Sequence, residues 1–123
     1  MSKNIRDLIL NSSIPEETVD IPEWGVTVLI RGLMAAESID FYESVSSRQS
    51  DGTFRVDQKK WTTGLLLACV YDPETKVKVF DRADAEEIGR KSALVVTRIA
   101  GIAARLSGLT AEEEAVEDFD EAH

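Results

Sequence analysis

Apolar residues in the last third of the chain fall on one side of a helix. Ile88, Val95, Ile99, Ile102, Leu106 and Leu109 recur at spacings of seven, four, three, four and three. That is the 3.6-residue period of a single helical face. It predicts a long helix over 84–108 that forms the main wall of the core. Asp84 stands where an N-cap belongs, and Glu87 completes a capping-box pattern. Gly108 follows the last periodic turn, where helices commonly stop. Gly89 is a candidate break, dividing a short helix from a long one.

The rest of the chain divides by the same test. Residues 1–17 are a lead-in, with Ile5, Leu8 and Ile9 on one face of a short helix. Between 18 and 31 the period changes to two. Val19 and Ile21, then Val26, Val28 and Ile30, alternate with other residues around Pro22-Glu23-Trp24-Gly25. This predicts a β-hairpin, with Pro and Gly supplying the turn torsions. A helix over 34–47 follows, with Ala35, Ile39, Tyr42 and Val45 as its core face and Phe41 beside it. Met34 is a poor N-cap for it. Residues 46–55 read as a loop around Ser50-Asp51-Gly52. Asp57 then caps a third helix running to about Tyr71, with Trp61, Leu65 and Cys69 as one stripe. A hairpin pairing 66–71 with 77–80 around Asp72-Pro73 is the competing reading.

The expected fold is mainly α within the α+β class. A small helical domain carries an N-terminal β-hairpin packed on three to four helices. Trp61, Leu65, Ile99, Ile102 and Leu106 are the predicted core.

Charge changes this picture at the C-terminus. The net charge is -9, and residues 110–123 hold seven acids and no Lys or Arg. The first 109 residues carry the other 16 acids against 14 bases. We therefore expect one domain over 1–109 and an acidic tail over 110–123, with Thr110 to Glu113 able to start a helical turn. Nucleic acid is disfavoured as a partner, because phosphate contacts need a basic footprint. No apolar run approaches the roughly 20 residues of a membrane helix, and the first fifteen residues do not read as a signal peptide. A lone cysteine, Cys69 in an apolar run, suits a buried thiol in a cytoplasmic protein.

Chemistry is scarce. The one histidine is His123, the last residue, and no nucleophile has a base to pair with. Paired acids such as Glu86-Glu87 have the plainer role of favouring a helix N-terminus. We expect no catalytic residue, no cofactor and no metal site. The features left are surface features. Lys91, Arg98 and Arg105 repeat every seven residues and form a basic line, on which Gly101 also lies. Ala100, Ala103 and Ala104 add a small-residue edge that permits close helix approach. Trp24 at the hairpin turn is a further candidate anchor. Each has a plainer reading: charges bridged to nearby carboxylates, alanines packed against the chain's own helices, and a Trp folded onto the core.

Several of these segments together resemble a known family. Val19-Asp20-Ile21-Pro22-Glu23-Trp24-Gly25, the strand through Leu33, and the acidic helix with Asp40-Phe41-Tyr42-Glu43 are similar to the tail assembly chaperones of long-tailed bacteriophages and prophages. Leu67 to Pro73, Val79-Phe80, and Asp84 through Arg105-Leu106-Ser107-Gly108-Leu109 are similar to the family's second half. The resemblance implies a non-enzymatic protein that binds the tape measure protein and keeps it soluble. It also implies contact with the tail tube protein, self-association, a place in the host cytoplasm and absence from the mature virion. The alternative is a structural virion component such as a head-tail joining or tail completion protein.

Overall fold

The computed structural model describes residues 4–109. The acidic tail expected over 110–123, with its Thr110–Glu113 capping pattern and His123, lies outside the described residues. So do the first three residues of the lead-in.

The hairpin is present and slightly longer than its alternation suggests. β1 (Glu16–Ile21) pairs antiparallel with β2 (Val26–Arg31), Ile21 opposite Val26. The turn closes through Trp24 N–H to the Ile21 carbonyl at 3.0 Å and Gly25 N–H to that of Pro22 at 3.2 Å. Gly25 takes φ +65°, which a side chain would resist. Strand parity puts Glu17, Val19 and Ile21 on the face toward the helices.

α2 (Ala35–Val45) begins at Met34, which offers no capping oxygen, and Glu37 instead accepts from the Met34 N–H at 2.9 Å. Its buried residues are Phe41 and Val45. The expected core face was misassigned: Ala35, Ile39 and Tyr42 point to solvent, at 61% and 46% exposure for Ile39 and Tyr42. The reason is packing on α3 (Gln58–Cys69). Phe41 lies against Trp61, ring centroids 5.4 Å apart, and over Gly64, where an added Cβ would come within 2.8 Å of its ring. The missing side chain sets the register of α2. Between these helices the expected loop is a small ribbon, β3 (Ser46–Arg48) paired with β4 (Phe54–Val56).

α3 starts as expected, with the Asp57 carboxylate accepting from Lys60 N–H at 3.1 Å. It stops at Cys69 rather than Tyr71. Val70 switches directly to extended backbone and opens β5 (Val70–Tyr71), which pairs with β2 at Ile30 and Leu29. The Asp72 side chain accepts from Glu74 and Thr75 N–H groups, and the chain returns so that Tyr71 bridges Lys78. Helix and hairpin readings are thus each right for part of this segment. The resulting sheet has the order β1-β2-β5.

The predicted long helix is two helices. A 3₁₀ turn at Arg82–Asp84 leads into α4 (Ala85–Ile88), and α5 runs over Ala93–Leu106. Gly89 lies in the break. Asp84 does not cap α4; it closes a box with Asp81, accepting from the Asp81 N–H at 2.8 Å. Ser92 is the cap of α5. α5 packs on α3 and β2. Trp61, Leu65 and Ile99 are buried in the core, whereas Ile102 and Leu106 are half-buried at its edge. Ile21, Ile30, Leu66, Val70 and Val95 complete its fully buried centre. α1 (Ile5–Leu10) buries none of its residues.

Candidate functional site

Two cations of the predicted line, Arg98 and Arg105, lie on α5 and face the hairpin as well as solvent. Lys91 falls in the break before α5 rather than on one helix with them. Arg98 donates two hydrogen bonds to the Glu23 carboxylate, at 2.9 and 2.8 Å. Arg105 donates to Glu17 at 3.0 Å. Lys91 stands 3.9 Å from Glu87 on α4. Each cation of the line is therefore matched to a carboxylate of this chain. The bidentate Arg98 contact holds the Glu23 carboxyl down to about 2. Glu23 in turn pushes the Arg98 guanidinium up.

The small-residue edge divides in two. Ala100, Ala103 and Ala104 are buried within the chain's own core. Gly101 lies on the opposite side, and a Cβ added there would meet nothing within 4 Å. Leu94, Arg98, Gly101 and Arg105 thus share an exposed outer face, with Leu94 at 72% exposure. Trp24 is half-buried and packs against the core. It joins Val79, Phe80, Ile88 and Lys91 as walls of an open groove of about 530 Å³. The structure therefore gathers Trp24, Lys91 and Arg98 around the hairpin turn and leaves Gly101 and Arg105 further along α5.

Cys69 is fully buried, and burial pushes its thiol up to about 12, which leaves it unreactive. No helix among the described residues is long and apolar enough to cross a membrane.

An exposed apolar surface lies on α1, whose face was expected, and on α2, whose outward stripe was not. On α1, Ile5, Leu8, Ile9 and Leu10 are 54–76% exposed. On α2, Ile39 and Tyr42 continue a stripe begun by Ala35, and Met34 precedes it at 50% exposure. The stripe itself was visible as a helical period. Its direction was not, because α2 carries two apolar stripes and the period does not say which one meets α3.

Comparison with known proteins fits this inventory of surfaces. The family model of phage tail assembly chaperones matches residues 4–120. No curated protein sequence matches the chain. Among solved structures, the fold is similar to that of the tail assembly chaperone of bacteriophage HK97. The identity is 21% and the TM-score 0.55, with 83% of this chain and 91% of that one covered. At that identity the likeness is one of fold. The family match spans nearly the whole chain, and the protein belongs to the phage tail assembly chaperone family.

Proposed function

We propose that this chaperone binds the tape measure protein, keeps it soluble before the tail is built, and brings it to the tail tube protein. The reading is non-enzymatic. It places the protein in the host cytoplasm, self-associated and absent from the finished virion. The observation that carries it is the uncovered apolar surface of α1 and α2. A six-residue helix with no buried residue gains little from its own hydrogen bonds. Apolar groups on such a helix, and a second stripe on α2, suit a partner that presents an apolar helical face of its own. A long helical protein without its final assembly has such faces.

Co-expression with the tape measure protein tests this reading. Ile39→Asp with Tyr42→Asp removes the apolar stripe of α2 at positions that are already exposed. The pair should leave the fold intact and lose the tape measure protein to the insoluble fraction. Full retention of soluble tape measure protein would exclude this face.

The outer face of α5 is the second reading, favoured by exposed Leu94 and open Gly101. There Lys91, Arg98 and Arg105 would rim a partner helix, with Trp24 beside them. Gly101→Arg is the clean probe of that face, since the new side chain enters open space yet blocks close helix approach. Reversal of Arg98 and Arg105 is not clean, because both hold carboxylates of the hairpin.

A further inference from the structure

Eight cations lack a salt bridge among the described residues. Arg31, Lys76, Lys78 and Arg82 stand among acids, with Arg31 opposite Glu16 and residues 72–84 carrying four acids. The others, Arg48, Arg55, Lys59 and Lys60, gather in one segment. All four are exposed and lie on the β3–β4 ribbon or in the first turn of α3. Arg48 pairs directly with Phe54 in the ribbon, so their side chains share a face. Phe54 is 69% exposed. Two acids lie in the same segment, and both are engaged locally. Asp51 accepts from the Thr53 N–H and hydroxyl, and Asp57 accepts from Lys60 N–H. Glu43, in the last turn of α2, is the next carboxylate in sequence. Residues 46–60 therefore carry four cations against two acids in a chain of net charge -9.

We infer that this ribbon is the docking surface for the chain's own acidic segment, residues 110–123. The segment has the complementary composition: seven acids, no Lys or Arg, and two apolar residues, Val116 and Phe119, to set against Phe54. Its starting point is within reach. Ser107, three residues before it, lies near Cys69 at the C-terminal end of α3, while the ribbon adjoins the N-terminal end. The twelve residues of α3 span about 18 Å at 1.5 Å each. The fourteen residues from 110 to 123 span up to about 46 Å when extended. The contact is charge-led and solvent-exposed, so it closes at low salt and opens at high salt. The α5 line does not compete for the segment, because its cations already hold carboxylates.

A nitroxide label on Ala115→Cys in the full chain tests the contact. Cys69 is buried and stays unlabelled. In about 0.1 M salt, where screening extends about 10 Å, the backbone amide signals of Arg48, Phe54, Arg55 and Lys59 should lose intensity. They should recover in about 1 M salt, where it extends about 3 Å. Adding Arg48→Glu and Arg55→Glu should abolish the loss. Three outcomes would overturn the inference: no loss at the ribbon in the labelled parent, loss centred on α5, or loss that appears equally when the label is on a separate copy of the chain. The parent measurement stands alone if the double variant fails to fold.

Discussion

Arg98, midway along α5, grips Glu23 in the hairpin turn through two nearly parallel hydrogen bonds, although 75 residues separate them. Both side chains are 38% exposed. The contact ties the last helix to the first hairpin, the two elements on which the core closes. Bidentate geometry is the strongest form of a carboxylate–guanidinium contact. Its partial exposure still leaves it open to screening by salt.

The pair should make stability depend on acid pH. Glu23 has a folded pKa near 2 against an ordinary value of 4.5, with the Arg98 hydrogen bonds as the first cause. A depressed pKa contributes stability that is complete above 4.5 and is lost as pH falls through about 2. Urea denaturation at pH 7 should find Glu23→Gln less stable than the parent. The gap should close as pH drops from 4.5 toward 2. A gap that is constant with pH would show that the pair is not coupled to folding.

Core substitutions should rank by depth rather than by size alone. Trp61→Ala removes the partner ring of Phe41, and Ile99→Ala empties a site with 1% exposure. Each should cost about 2–5 kcal/mol. Ile102→Ala, at a half-buried position, should cost less than Ile99→Ala. Chemical denaturation of the three variants checks the order, and equal losses at Ile99 and Ile102 would contradict the described packing.

Two glycines mark close approaches of different stiffness. A Cβ on Gly32 would sit 2.5 Å from the backbone oxygen of Leu106, which cannot move without shifting the end of α5. On Gly64 it would meet the Phe41 ring at 2.8 Å. Ala is also a better helix residue than Gly by about 1 kcal/mol, which offsets part of the crowding inside α3. Gly32→Ala should therefore destabilise by about 3 kcal/mol and Gly64→Ala by about 1 kcal/mol. The reverse order in thermal melts would mean that the Leu106 end of α5 yields easily.

These close approaches also explain what was legible in the sequence. The hairpin, α3 and α5 announce themselves, because each has a single apolar period and a cap or turn at its end. The core residues on α3 and α5 follow from that. Three things do not follow from local pattern. Phe41 rather than Ile39 faces inward because Gly64 lies across from it. Val70 leaves its helix because β2 offers it strand partners at Ile30 and Leu29. The basic line of α5 is spent on Glu17 and Glu23, which only the fold brings near. Of the candidate partner residues, Lys91, Arg98, Gly101 and Arg105 are exposed, and Trp24 is half-buried against the core. The uncovered apolar stripe of α2, first read as core, is the surface that spacing alone did not identify.

The most direct measurement is hydrogen exchange on the full chaperone, alone and bound to the tape measure protein. Alone, α1 should exchange rapidly, since it is short and buries nothing. In the complex, amides of α1 and α2 should gain protection, while the outer face of α5 from Leu94 to Arg105 stays as it was. Protection confined to α5, or a complex that leaves α1 and α2 unchanged, would contradict the account.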